Sequence, residues 1–134
     1  MNVKTQEPQI NTDRIMIKCS RSIEFIEVRQ IIRIEALRSY SKIYIQDGDP
    51  LVLSFPLKKI EDKLEVYSYF FRSHKSHIVN LLHTKSYHSD KGIKLNDGSC
   101  IPLAIHLKPA FLDKVEIIFG CNKKKDSQIS APKS

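Results

Sequence analysis

An alternation of apolar and polar residues limits the fold of this sequence more than any other feature. Apolar residues occupy every second position in six short runs: Ile15, Ile17 and Cys19; Ile32, Ile34 and Ala36; Ile43 and Ile45; Leu51, Leu53 and Phe55; Ile93 and Leu95; Ile101 and Leu103. Successive side chains of a β-strand point to opposite faces, so this spacing is typical of half-buried strands. The sequence therefore predicts a mostly β protein.

Two turn signals join these runs into hairpins. Asp47-Gly48 and Asp97-Gly98 each separate two alternating runs, and glycine can adopt the positive φ that a tight hairpin requires. We expect residues 41–46 to pair with 51–55, and residues 92–96 to pair with 100–104.

Helical spacing occurs in two places. Three apolar residues after Pro56 share one helical face: Leu57, Ile60 and Leu64. A second brief helix is expected near Pro109, with Phe111 and Val115 on a common side. Short strands with one or two small helices predict packed antiparallel sheets.

The charge balance favours a polyanionic partner. The 134 residues include 22 Lys and Arg against 15 Asp and Glu, a net charge of +7 with a pI near 9.4. Nucleic acid is the first candidate and an anionic membrane surface the second. We expect one domain over residues 14–119, between a flexible segment at 1–13 and a basic tail at 120–134. No membrane span or signal peptide is evident, so we expect a cytoplasmic protein with isolated, reduced cysteines.

The sequence offers no motif for catalysis or metal binding. It has no glycine-rich phosphate loop, GxSxG or HExxH, and the adjacent Glu61-Asp62 is expected on the solvated side of a helix. Of the clustered histidines, His74 and His77 would lie on opposite faces of one strand, which is poor geometry for a metal. We predict neither an enzyme nor a cofactor.

Residues 37–42, LRSYSK, form a polar joint between two alternating runs. Its polar side chains are Arg38, Ser39, Tyr40, Ser41 and Lys42. The cations can neutralise phosphates, the serines can bond phosphate oxygens, and the tyrosine can reach a base edge. A plain polar loop is the alternative interpretation.

Residues 70–80, FFRSHKSHIVN, begin and end like a buried strand but carry polar side chains in the middle. We interpret this segment as one strand whose ends lie in the core and whose middle faces outward. His74 is either a structural histidine or a DNA contact, whereas Lys75 is expected to meet a phosphate or a base.

Four segments in this order, IIRIEALRSYSKIYI, LSFPLKKIEDKL, FFRSHKSHIVNL and LNDGSCIPLA, closely resemble the LytTR-type DNA-binding domain of bacterial response regulators. The resemblance covers roughly residues 14–115. It implies an elongated stack of small antiparallel sheets whose loops enter successive major grooves on one face of the DNA. It also implies a sequence-specific transcriptional regulator that occupies direct repeats of double-stranded DNA as two copies.

The resemblance also assigns roles to residues. Tyr40 and Lys75 match base-contacting positions, and the implied backbone contacts are Arg38, Ser39, Ser41, Lys42, Ser76 and Lys108. A third base contact in the family is commonly an arginine in a Ser-Arg pair, which reads Ala104-Ile105 here. The neighbouring His106 is the residue that could replace it.

About thirteen residues precede the first expected strand, so we expect no receiver domain before it. Control is then expected from protein abundance, self-association, or a separate partner such as a membrane protein. The alternative function is a basic β module that binds RNA, single strands or a protein. The absence of Trp and of an aromatic platform argues against stacking on single strands.

Overall fold

The computed structural model describes residues 13–120, and that part of the chain contains ten strands and two α-helices. The strands are β1 (Arg14–Lys18), β2 (Ile23–Glu27), β3 (Ile31–Leu37), β4 (Tyr40–Ile45), β5 (Leu51–Leu53), β6 (Phe70–His74), β7 (His77–Asn80), β8 (Thr84–His88), β9 (Gly92–Leu95) and β10 (Cys100–Ile101). The helices are α1 (Leu57–Leu64) and α2 (Lys108–Val115), the latter continued by a π-helical turn over Glu116–Gly120.

The strands form three antiparallel sheets. Strands β1 and β2 make a hairpin, β8 to β10 make a three-stranded sheet in the order β10-β9-β8, and the central sheet has the order β5-β4-β3-β7-β6. The predicted fold class is confirmed: a mostly β chain of small antiparallel sheets with two short helices. Both hairpins expected at Asp47-Gly48 and Asp97-Gly98 are present.

The central sheet buries apolar side chains on both faces. In β7, Ile78 faces one core and the adjacent Val79 faces the other, and Phe70 and Phe71 divide in the same way in β6. Strand geometry explains this, because consecutive side chains project to opposite sides. The β1–β2 hairpin and α1 cover one face, and the three-stranded sheet with α2 covers the other.

Each helix is held by the apolar face that its spacing indicated. Leu57, Ile60 and Leu64 of α1 are buried in the first core. Phe111 of α2 lies between the rings of Phe71 and Tyr87, with ring centroids 5.7 and 5.4 Å away.

One prediction about strands was wrong, and strand β2 was not predicted. Residues 70–80 form a hairpin, β6 and β7 joined by Lys75 and Ser76, rather than one strand. Apolar residues occupy both faces of β2, so its sequence does not alternate clearly. Ile23 and Phe25 face solvent, whereas Ile26 is buried.

Several expectations concern residues outside the described range. The structure gives no account of residues 1–12, of Cys121 or of the basic tail, so the flexible segments and domain boundaries stay predictions. Cys19 and Cys100 are free thiols. Within residues 13–120, neither helix has the length and apolar character needed to cross a membrane.

Candidate nucleic-acid interface

The first polar loop is the tight turn between β3 and β4. Leu37 pairs with Tyr40, so Arg38 and Ser39 alone form the turn. Arg38 has φ of 63°, a left-handed conformation that is uncommon for a residue with a side chain. Both turn residues are exposed and the Tyr40 side chain is 50% exposed, so this tip presents a cation, a hydroxyl and an aromatic ring to solvent.

The second polar loop is the turn between β6 and β7, which presents Lys75 to solvent. The Arg72 guanidinium stabilises this turn through two hydrogen bonds. Its Nε donates to the His74 carbonyl at 3.2 Å, and its Nη2 donates to the Lys75 carbonyl at 2.7 Å. Its Nη1 donates to Glu61 Oε1 on α1, also at 2.7 Å. One side chain thus ties the turn to the helix.

His74 also shapes this second turn. The Ser76 backbone N–H donates to His74 Nδ1 at 3.1 Å. Because Nδ1 accepts this bond, the proton of the neutral ring is on Nε2. This contact gives His74 a structural role in the turn and leaves Nε2–H as the ring's remaining donor.

The two turns lie side by side at one end of the central sheet. Strand β7 pairs with β3, Glu35 opposite His77, and the Ala36 N–H donates to the Ser76 carbonyl at 2.8 Å. A third loop joins them, since the Ala104 N–H donates to the Ser73 carbonyl of β6 at 2.9 Å. We call this end of the sheet, formed by residues 38–40, 75–76 and 104–107, the polar edge.

A row of cross-strand neighbours lies just behind the polar edge. Lys42, Glu35, His77 and His74 are paired in register from β4 through β3 and β7 to β6. The Glu35 carboxylate accepts from the Tyr44 hydroxyl at 3.0 Å and lies 3.6 Å from the Arg33 guanidinium. Arg33 thus lies close enough to balance the charge of Glu35, and the exposed cations Arg38 and Lys75 lie on the turns in front of this row.

Burial sets the protonation of His77. Removal from water lowers the pKa of His77 below its ordinary value, against the opposing effect of the Glu35 carboxylate, and the Arg33 guanidinium also lowers it. Its Nδ1 is buried without a hydrogen-bond partner in the described part of the chain. His77 is therefore neutral at pH 7.

Ser41 was wrongly predicted to contact the DNA backbone. Its side chain is 0% exposed, and its hydroxyl donates to the Phe55 carbonyl at 2.8 Å. Alternation explains the error, because Ser41 follows the exposed Tyr40 and so points into the first core. Ser41 instead bonds β4 to the segment that follows β5.

The structure places the other predicted residues at or near the polar edge. Arg38, Ser39, Tyr40, Lys75 and His106 are exposed on its three loops, while His74, Ser76 and Lys42 are half-buried. Lys108 is exposed at the start of α2, with its ammonium 5.6 Å from the centre of the Tyr87 ring.

Sequence reasoning missed the Arg72–Glu61 contact. Glu61 was expected on the solvated side of α1, but it is half-buried against Arg72. Their separation of eleven positions has no periodic signal, so only the packing of α1 beside β6 reveals the pair.

The proposed arrangement of His74 and His77 was also wrong. The hairpin places them opposite each other, with ring centroids 5.6 Å apart, rather than on opposite faces of one strand. Across residues 13–120, however, no group of three or more His, Cys, Asp or Glu side chains is arranged to hold a metal ion.

The fold and the polar edge define a class of protein: a small domain of antiparallel sheets with exposed cationic turns at one end of its central sheet. Comparison with known proteins makes the assignment more specific. The family model for the LytTr DNA-binding domain matches residues 21–116, which is more than half of the chain. The chain therefore belongs to the LytTR family of DNA-binding domains.

A solved structure supports the fold. The chain is similar to the LytTr DNA-binding domain of a protein from Bacillus cereus described as a methyl-accepting/DNA response regulator, with a TM-score of 0.64 and 17% sequence identity. The match covers 78% of this chain and 97% of that one. A search of curated proteins found no match.

Proposed function

We propose that this protein is a sequence-specific transcriptional regulator that inserts the loops of the polar edge into the major groove of double-stranded DNA at direct repeats. One observation carries the proposal: three loops with exposed donors meet at a single edge of one sheet. Membership of a DNA-binding family and the net charge of +7 support it.

The dimensions of the turns suit the proposed role. Two neighbouring strands are about 4.8 Å apart, so a two-residue turn is much narrower than a major groove of about 12 Å. Lys75 and Tyr40 project from two such turns and are the proposed base readers, with His106 on the third loop. Arg38, Ser39, Lys42, Ser76 and Lys108 are the proposed backbone contacts.

We also propose the partners of this protein and the compartment in which it acts. A second copy on the neighbouring repeat would double the contact area, and a separate regulatory or membrane partner would control access to DNA. The protein would act in the cytoplasm of a bacterium, with no small-molecule substrate and no catalysis. The occupation of successive major grooves stays a prediction.

Selection of bound fragments from sheared genomic duplex DNA at near-physiological salt tests this function, because non-specific attraction is already weakened under these conditions. We expect enrichment of fragments that share a short element repeated at a spacing of about one or two helical turns. Lys75→Ala should reduce this enrichment, and Lys63→Ala is its matched control, since Lys63 is exposed on α1 and does not belong to the polar edge.

The alternatives predict different results. Retention of all duplexes without enrichment would contradict sequence-specific reading. Preferential retention of single strands in a competition assay would indicate an RNA or single-strand module, and failure to retain any nucleic acid would indicate a protein-interaction module.

A further inference from the structure

The third loop of the polar edge carries an apolar side chain in full contact with solvent. Ile105 is 90% exposed, more than any other large apolar residue within 13–120. It begins a short 3-10 turn over Ile105–Leu107, which the Leu107 N–H closes by donating to the Ala104 carbonyl at 2.9 Å. Exposure of this side chain therefore follows from a defined backbone turn.

The position of Ile105 relative to the second turn is fixed by a main-chain contact. Ala104, the residue before it, bonds to Ser73 of β6, and Ser73 lies two positions before Lys75. The next residue, His106, is exposed as well, and Lys108 follows at the start of α2. An apolar side chain thus lies among groups that suit phosphates.

DNA offers such a side chain one kind of partner. Among the groups on the base edges in the major groove, the thymine 5-methyl is apolar, whereas the others are hydrogen-bond donors and acceptors. An isoleucine held near the bases by neighbouring cations would gain binding free energy by covering that methyl. At other base edges it would leave hydrogen-bond donors and acceptors without a partner, which costs binding free energy.

We propose that Ile105 is a specificity-determining residue that reads an A·T pair by packing on the thymine 5-methyl in the major groove. This inference rests on the proposed function. It adds one apolar contact to the polar contacts proposed for Tyr40, Lys75 and His106.

Replacement of thymine by deoxyuridine tests the contact, because it removes the methyl and keeps the pairing. In a duplex recovered by the genomic selection, each thymine is replaced in turn. At one thymine in each repeat, we expect the wild-type affinity to fall roughly four-fold, the effect of burying about one methylene-sized group. Ile105→Ala should bind the unmodified duplex about as weakly and be insensitive to this replacement.

Ile117→Ala is the matched control, since Ile117 is 80% exposed on the final helical turn and does not belong to the polar edge. It should keep the full sensitivity to the methyl. Urea unfolding of Ile105→Ala should match the wild type, because the side chain has almost no buried surface to lose.

Three results would overturn the inference. Wild-type protein that is indifferent to every thymine methyl would exclude the contact, and Ile105→Ala that keeps the wild-type sensitivity would assign the methyl to another residue. Either of these two results would leave the proposed function intact. Failure of the wild-type protein to select any duplex would overturn the proposed function and this inference together.

Discussion

At the scale of single residues, Arg38 combines an unfavourable backbone conformation with an exposed position. A left-handed arginine costs about 1–2 kcal/mol, and such strain commonly lies at functional sites. Two non-glycine residues of the described chain have positive φ, Arg38 at the polar edge and Asp47 at the opposite end of β4. Substitution at Arg38 can therefore change both backbone strain and DNA binding, whereas substitution at Asp47 should change strain alone.

Arg38→Gly should raise the free energy of unfolding by roughly 0.5–1 kcal/mol, because relief of left-handed strain exceeds the extra entropy of glycine in the unfolded chain. The same variant should weaken DNA binding by removing a phosphate contact. Urea unfolding and a DNA titration measure the two effects. Asp47→Gly is the control and should leave binding unchanged. Equal affinity of Arg38→Gly and wild type would show that Arg38 does not contact DNA.

Lys75 and Lys42 should differ in how their loss affects binding. Lys75→Ala and Tyr40→Ala should weaken binding by amounts that vary between operator sequences, with about 1–3 kcal/mol of discrimination lost at the base pair each reads. Lys42→Ala should weaken all sequences alike and lower the salt slope by about one. Titrations on a set of single-base operator variants at several salt concentrations measure both. Uniform losses for all three variants would contradict the base-reading assignment.

At the scale of elements, the β6–β7 hairpin depends on the Arg72 guanidinium, which bonds to two carbonyls of the turn and to Glu61. Arg72→Lys keeps the charge but cannot reach two carbonyls and Glu61 at once. We expect specific DNA affinity to fall about ten-fold as the turn loses its support, while the protein remains folded. Glu61→Gln is the comparison, and it should have the smaller effect because it leaves both carbonyl contacts in place. Unchanged affinity of Arg72→Lys would show that the turn holds its shape alone.

Helix α2 depends on one aromatic side chain. Phe111 is buried between two rings, and Phe111→Ala should lower the free energy of unfolding by about 3–5 kcal/mol. Leu112→Ala, at the exposed neighbouring position, should change it by no more than about 0.5 kcal/mol. Thermal and urea unfolding give both values. A small effect of Phe111→Ala would mean that α2 contributes little to the second core.

Strands were predictable from the sequence where buried apolar residues alternate with polar residues. Period-two runs identified β3, β4, β5 and β9, and helical spacing identified α1. Residues 70–80 misled because β6 and β7 alternate between two cores, so both of their faces are apolar and the turn between them has no glycine signal. The hydrogen-bond donors of the polar edge were partly predictable from the sequence. The contact of Arg72 with Glu61 and the position of Ile105 beside β6 were not, because both depend on contacts between segments that are distant in the chain.

At the scale of the whole molecule, His77 links folding to pH. Its pKa in the folded state is lowered by burial, so the unfolded chain takes up a proton first as pH falls through about 6.5. The unfolded state then binds more protons, and stability falls as pH decreases through the window below 6.5. Above that window the full stability is present.

Urea unfolding midpoints measured between pH 7.5 and 5.5 should therefore decrease with acid, and His77→Gln should flatten this dependence. His106→Gln, at an exposed position, should leave it unchanged. A wild-type midpoint that does not vary across this range would contradict a lowered pKa of His77 in the folded state.

The burial of both faces of the central sheet has a consequence for how such a protein can diverge. Residues that hold the three sheets together lie in the two cores, whereas Arg38, Tyr40, Lys75 and Ile105 project beyond them. Substitutions at these four positions would alter the surface offered to a partner without repacking either core. A lineage carrying this scaffold can therefore change the surface of its polar edge by a few exchanges at the turns, with little selection for compensating changes elsewhere.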